Sequence, residues 1–190
     1  MNLDRIISVQ NSITVFRDGD RCLKVFNEDC AKADVINEAL NQARMEETTV
    51  TVPKILEVTE VNGKWAIVSE YIKGENLEQY VLKNGPVTPK ECYRWACQLC
   101  EAVQYLHQEN SEKPAIIHCD IKPGNVMITR SGDICLIDFN TSLIFRRDKK
   151  AVAVTDGYAA PEQYSPVQST PNAATVSYTH LRAHETTLHL

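Results

Sequence analysis

The sequence predicts an α+β fold, with an antiparallel sheet and one helix in its N-terminal part and mainly helical structure after it. Two hairpin signals bracket a stretch of helical periodicity, and a helix-capping sequence at Thr88 then opens a long amphipathic segment. Runs of strands followed by runs of helices are the pattern of this class.

The first hairpin joins Ile13-Thr14-Val15-Phe16 to Cys22-Leu23-Lys24-Val25-Phe26 across Asp18-Gly19-Asp20. Both runs alternate, and the glycine permits the tight turn between them. From about Glu28 to Met45 the residues Ala33, Ile36, Ala39 or Leu40, and Ala43 recur near helical spacing, which predicts a helix buried on that side. Ile55-Leu56-Glu57-Val58 and Trp65-Ala66-Ile67-Val68 flank Asn62-Gly63, a pair that tolerates positive φ at both turn positions. Thr88-Pro89-Lys90-Glu91 has the form of a capping box with proline in the first turn. The helix it opens carries Cys92, Trp95, Ala96, Leu99, Ala102, Val103 and Leu106 on one broad apolar face and ends at His107. Ile134-Cys135-Leu136-Ile137 reads as a buried strand.

At 190 residues with 43% hydrophobic content, the chain can form one domain or two small lobes. The net charge of -5 and the lack of a dense basic run argue against nucleic acid or an anionic membrane as partner. The start, Met1-Asn2-Leu3-Asp4-Arg5-Ile6-Ile7, carries an acid and no long apolar core, so neither a signal peptide nor a membrane span is expected, and the cytoplasm is the expected compartment. The 7 cysteines are odd in number and sit mostly in apolar patterns, which suits reduced thiols. Cys97 and Cys100 form a CxxC, but within a helical stripe and without a histidine cluster nearby, so packing is preferred to zinc or redox chemistry.

The densest chemistry lies in His118-Cys119-Asp120-Ile121-Lys122-Pro123-Gly124-Asn125-Val126-Met127-Ile128. Asp120 can accept a hydroxyl proton, Lys122 can neutralise a transferring phosphoryl group, and Asn125 can hold Mg²⁺. The strand ending at Ile137 delivers Asp138-Phe139-Asn140, placing a carboxylate as the second Mg²⁺ ligand. Downstream comes Thr155-Asp156-Gly157-Tyr158-Ala159-Ala160-Pro161-Glu162. In order and spacing these segments resemble the bacterial branch of the serine/threonine protein kinase family, over roughly residues 13 to 174.

That resemblance implies a protein kinase-like bilobal fold, ATP and Mg²⁺ as cofactors, and phosphoryl transfer to serine or threonine of protein substrates. Residues 1–70 would form a small lobe of antiparallel sheet plus one helix, and 71–174 an incomplete, mainly helical large lobe with the catalytic and activation segments. Lys24 would grip the α- and β-phosphates, and Glu38 would pair with it. The backbone at Glu70 and Ile72 would bond adenine, with Ser69 as gatekeeper and Met127 as the floor opposite Cys22. Thr155 would bond Asp120 and Lys122, and His118 would pack beneath the loop rather than move protons. A small-molecule substrate is disfavoured by Lys122 and by Ala160-Pro161-Glu162.

The sequence also departs from the family. The glycine-rich phosphate loop is replaced, with Ser8, Gln10 and Ile13 standing where its glycines would be. Asn140 replaces the glycine after Asp138-Phe139, a mild change because asparagine tolerates left-handed backbone. Cys119 replaces the arginine before the catalytic aspartate, removing the cation against which a phosphorylated activation loop docks, so such phosphorylation is not the expected main switch. Residues 175–190 resemble the translation of a sequencing-library adapter and are read as a non-native tail, in which His180 and His184 are not expected to bind metal. A truncated large lobe would leave apolar faces uncovered. The alternative readings are a pseudokinase or nucleotide-binding interaction module, or an inactive truncated gene product.

Overall fold

The computed structural model describes residues 3, 5–10, 12–46, 51–111 and 113–144. Strands β1 (Ile6–Gln10), β2 (Ile13–Asp18), β3 (Arg21–Phe26), β4 (Ile55–Val61) and β5 (Lys64–Glu70) form one antiparallel sheet in the order β1-β2-β3-β5-β4. Both expected hairpins form. Gly19 takes φ +61 at the first turn, while Asn62 and Gly63 take φ 52 and 77 at the second, the double positive that a two-residue hairpin turn favours. Strand β1 was not read from the sequence; its Ile6, Ile7 and Val9 remain exposed at the edge of the sheet.

Helix α1 spans Lys32–Glu46, starting after a turn at Asn27–Cys30 rather than at Glu28. Its buried side agrees with the expected one at Ala39 and departs from it elsewhere. Val35, Glu38, Ala39, Asn41, Gln42 and Met45 face inward, whereas Ile36 and Leu40 are 38% and 49% exposed. The ion pair between Glu38 and Lys24 lies on the same side of the helix as buried Val35, Ala39 and Met45. Residues two places from Glu38 point about 200° away from it, so Ile36 and Leu40 are turned outward.

Beyond the sheet run β6 (Gly74–Asn76), α2 (Leu77–Asn84), α3 (Pro89–His107), β7 (Ile116–Ile117), a 3-10 turn (Pro123–Asn125), β8 (Val126–Thr129), β9 (Ile134–Leu136) and β10 (Leu143–Ile144). Strands β6, β8 and β9 form a small antiparallel sheet, and β7 pairs with β10. Gly74 is required where β6 meets β8, since a Cβ there would lie 2.0 Å from the Ile128 carbonyl oxygen. Helix α2 has its own capping box, with the Gln79 N–H donating to Asn76 Oδ1 at 2.8 Å, and stops at Gly85 with φ 82. Asn-x-x-Gln followed by glycine was legible in the sequence as a helix and was missed.

The capping box of α3 forms as expected, Glu91 N–H donating to Thr88 Oγ1 and Thr88 N–H to Glu91 Oε2. Trp95, Leu99, Ala102 and Leu106 are buried and join Ile116, Ile117, Ile121, Val126, Ile128, Ile134, Leu136 and Phe139 in the larger core cluster. Each of the Leu, Ile, Val and Phe side chains contributes about 1.5–3 kcal/mol when fully buried. Cys97 and Cys100 are exposed, which corrects the packing role expected of them; Cys97 stands two residues from Trp95 and so points away from the core. None of the seven cysteines is in a disulfide. Smaller clusters cover the two faces of the sheet, Ile13, Phe26, Val35, Ala39 and Ile67 on one, Leu23, Val25, Ala66 and Val68 on the other.

Candidate active site

Strand β7 delivers His118, after which the chain turns sharply. Cys119 sits at φ 65, a left-handed conformation held by burial of its thiol, which bonds the Ile117 carbonyl at 3.6 Å. Burial pushes that thiol up to about 12, so it stays protonated and adds no negative charge beside Asp120. The His118 ring is fully buried and lies against Phe139 with centroids 4.8 Å apart. Burial lowers its pKa, so the ring is neutral: Nδ1 accepts the Asp120 N–H at 3.3 Å, leaving Nε2 to donate to the Ile137 carbonyl at 3.2 Å. These contacts give His118 a structural place in the loop.

Asp120, Lys122 and Asn125 converge on one carboxylate. Asn125 Nδ2 donates to both the carbonyl oxygen and Oδ2 of Asp120 at 2.9 Å, and Lys122 Nζ lies 2.9 Å from the same Oδ2. The 3-10 turn makes this convergence geometrically simple, because the Asn125 N–H donates to the Lys122 carbonyl at 2.9 Å and folds the loop back on itself.

The second cluster assembles around Lys24. Its Nζ lies 2.6 Å from Glu38 Oε1 on α1 and 2.6 Å from Asp138 Oδ1 after β9. Burial opposes the charge on Lys24, but Glu38 and then Asp138 outweigh it and raise its pKa, so it is a held cation. Burial raises the pKa of Glu38, a shift Lys24 only partly offsets. Burial also works against the charge of Asp138, yet the adjacent Lys24 prevails and lowers its pKa, keeping it ionised. The two clusters touch through backbone, the Ile137 N–H donating to the Asn125 carbonyl at 3.0 Å. Asp138 takes φ 67, whereas Asn140 is not left-handed; the expected benefit of asparagine at position 140 is therefore not used, and the special backbone belongs to Asp138.

The donor set suits Mg²⁺. Asn125 commits its amide nitrogen twice to Asp120, which turns Oδ1 away, and Asp138 contributes a carboxylate; both are the hard oxygen donors that this ion takes. Among the described residues no group of three or more acidic, histidine or cysteine side chains could hold a metal alone. Two protein oxygens with the remainder from phosphate and water is the usual arrangement for this ion.

In the middle of the large sheet, Cys22 pairs with Ser69 across β3 and β5, and burial raises the pKa of the Cys22 thiol, a shift that nearby Lys24 and Ser69 only partly offset. The chain then leaves β5 with the Glu70 N–H donating to Lys54 and the Tyr71 N–H to Asp20, both at 2.9 Å. Ile72 and Met127 are half-buried. In the β1–β2 hairpin Gln10 stands opposite Ile13 and Ser8 opposite Val15. Thr155, the Ala160-Pro161-Glu162 segment and residues 175–190 lie outside the described residues.

Sequence reading missed the buried polar side chains of α1. Asn41 Nδ2 donates to Ser142 Oγ at 2.9 Å and to the Ser142 carbonyl at 3.3 Å, and Gln42 Nε2 donates to the Pro53 carbonyl at 2.6 Å. No local pattern marks these partners, which come from distant segments.

A protein kinase domain model matches residues 20–179. Among curated relatives, the chain is 30% identical to Protein kinase kin1 of Schizosaccharomyces pombe over 60% of this chain and 13% of that protein. It is 32% identical to Probable serine/threonine-protein kinase PknB of Corynebacterium glutamicum over 66% of this chain and 20% of that protein. It is 27% identical to Serine/threonine-protein kinase PrkC of Bacillus subtilis over 66% of this chain and 19% of that protein. The chain thus spans about a fifth or less of the length of these relatives. By the match of the domain model over most of its length, the chain belongs to the protein kinase domain family.

Proposed function

We propose that this site transfers the γ-phosphoryl group of ATP to serine and threonine hydroxyls of proteins, in the presence of Mg²⁺. The observation that carries this is the position of Lys24 Nζ, 2.6 Å from both Glu38 and Asp138, two residues that are far apart in sequence and on separate elements. In this reading Lys24 binds the α- and β-phosphates, Glu38 fixes its orientation, and the backbone at Glu70 and Ile72 bonds adenine between Cys22 and Met127. Asn125 and Asp138 hold the metal. A metal held there would supply charge neutralisation to the transferring phosphoryl group. Asp120 orients the substrate hydroxyl and takes its proton late, while Lys122 offsets charge on the phosphoryl group in flight. The roles expected of Thr155 and of the part of 71–174 beyond residue 144 belong to the same reading and lie outside the described residues.

A protein substrate is favoured by Lys122 beside Asp120 and by Ala160-Pro161-Glu162. Transfer from γ-labelled ATP tests it: label on serine or threonine of a protein mixture supports the reading, and label on metabolites alone, or nowhere, sinks it. A second reading, nucleotide binding without transfer, is favoured by the β1–β2 hairpin, where Gln10 and Ile13 pair at the position expected for phosphate-binding glycines. It predicts Mg²⁺-dependent nucleotide binding with no labelled product. Among the described residues no helix is long and apolar enough to cross a membrane.

Ser69 yields a separate prediction. With so small a side chain at the rear of the adenine pocket, inhibitors carrying a bulky substituent there should bind roughly tenfold or more tightly to the wild type than to Ser69→Met, since added volume in a packed site costs about 1–3 kcal/mol. Equal inhibition constants would place the substituent elsewhere.

A further inference from the structure

We propose that Asn41 and Ser142 are positioning residues for Asp138, coupling helix α1 to the metal-binding carboxylate through a buried hydrogen-bond relay. The proposal rests on the reading of Asp138 as a metal ligand. Asp138 sits at φ 67, a conformation that L residues with a Cβ adopt only when their surroundings impose it. On its N-terminal side the surroundings are clear: Ile137 is pinned by its N–H to Asn125 and by its carbonyl to His118. On its C-terminal side Thr141 Oγ1 donates to the His118 carbonyl at 3.2 Å, and the nearer backbone is restrained by Ser142. The Ser142 hydroxyl donates to the Phe139 carbonyl at 2.6 Å, and the Ser142 N–H donates to the same oxygen at 3.1 Å. That hydroxyl is itself the acceptor for Asn41 Nδ2 at 2.9 Å. Arg44 Nη1 completes the set by donating to Asn41 Oδ1 at 3.0 Å, which fixes the amide with its nitrogen toward Ser142.

Asn41 is 0% exposed and Ser142 1% exposed, so each bond acts where water cannot replace it. The direction of donation matters. Asn41 gives a proton to the serine oxygen, and the serine hydroxyl gives its own to Phe139, so the relay ends one residue from Asp138. Lys24 already ties Glu38 of α1 to the Asp138 side chain. Asn41, one turn further along the same helix, ties α1 to the backbone behind it. The helix therefore holds the carboxylate by its head and by its main chain at once, and a shift of α1 must move both.

The test is calorimetric binding of ADP to the full chain with Mg²⁺ and again with EDTA. The ratio of the two affinities reports the metal-binding carboxylate, whereas general loss of structure lowers both affinities. In Ser142→Ala the ratio should fall roughly tenfold, as when a group orienting a metal ligand is removed, with the EDTA affinity within about twofold of wild type. Ser142→Thr keeps the hydroxyl and should restore the ratio. Asn41→Leu should match Ser142→Ala, and the double variant should fall little further, since both act in one relay. An unchanged ratio in Ser142→Ala overturns the proposal, as does an equal fall with Mg²⁺ and with EDTA. Should Asn41→Leu fail to fold, Ser142→Ala and Ser142→Thr decide alone. A wild type whose ADP affinity ignores Mg²⁺ overturns the metal reading of Asp138 and this proposal with it, an outcome distinct from a wild-type response that the variants share.

Discussion

Asp120→Asn is expected to lower the rate of phosphoryl transfer roughly 10²–10⁴-fold, the range associated with loss of a positioned acid–base group. Nucleotide affinity should change by less than about threefold, because an interaction made mainly in the transition state affects kcat rather than ground-state binding. The geometry makes this a clean substitution. Asp120 Oδ2 receives Asn125 Nδ2 and lies beside Lys122 Nζ, and the carboxamide can present its oxygen to the same donors. The loop keeps its shape and loses the group that accepts the hydroxyl proton. Initial-rate measurement on a serine-containing protein, paired with ADP calorimetry, checks both halves. A variant retaining more than about a tenth of wild-type turnover would remove Asp120 from the role of base.

Lys24→Met should have the largest effect on stability. Lys24 is the shared partner of Glu38 and Asp138, whose side chains are only 4% and 13% exposed. Removing the cation leaves two buried carboxylates facing each other, a change of about 3–5 kcal/mol when one partner of a buried ion pair is lost. Urea unfolding should register it as an earlier midpoint with an unchanged slope. The pH dependence provides a second check. Lys24 holds the Asp138 pKa below its unfolded value, so this contribution is present above the unfolded pKa and is lost as pH falls through the folded one. The gap between wild type and Lys24→Met should therefore narrow toward acid pH. Adding Glu38→Gln should recover part of the loss, since one stranded charge is removed. A Lys24→Met variant as stable as wild type at neutral pH would contradict the ion-pair geometry.

What was legible in the sequence divides along physical lines. Local chemistry was readable: Asn62-Gly63 turns where two positive φ values are needed, and Thr88 with Glu91 caps α3. The grouping of Asp120, Lys122 and Asn125 was readable too, because a short loop must bring them together. Pairing of Lys24 with Glu38 was expected only through family resemblance and its pairing with Asp138 was not expected at all, since no local rule joins residues so far apart in the chain. The inward face of α1 was read correctly only at Ala39, because periodicity counts apolar residues, whereas the buried side also carries Glu38, Asn41 and Gln42 and leaves Ile36 and Leu40 outside. Cys97 and Cys100 were misplaced for a related reason, as cysteine was counted as core on a helix whose buried line runs through Trp95, Leu99, Ala102 and Leu106. Asn41 and Ser142 carry no signal at all until the chain folds.

The way α1 is docked has a thermal consequence. Glu38, Asn41, Gln42 and Glu46 each contact a different segment, through the Lys24 ammonium, Ser142, the Pro53 carbonyl and the Ile55 N–H. Exposing apolar surface raises heat capacity and exposing polar surface lowers it, so a helix released from these contacts changes heat capacity far less than one peeled from an apolar stripe. Its docking should strengthen steadily on cooling, where apolar contacts weaken. Hydrogen exchange of the α1 amides, followed from about 5 to 35 °C across the usual stability maximum, should show protection rising toward the cold end while that of the α3 core levels off; parallel curves would mean that Val35, Ala39 and Met45 govern the docking after all.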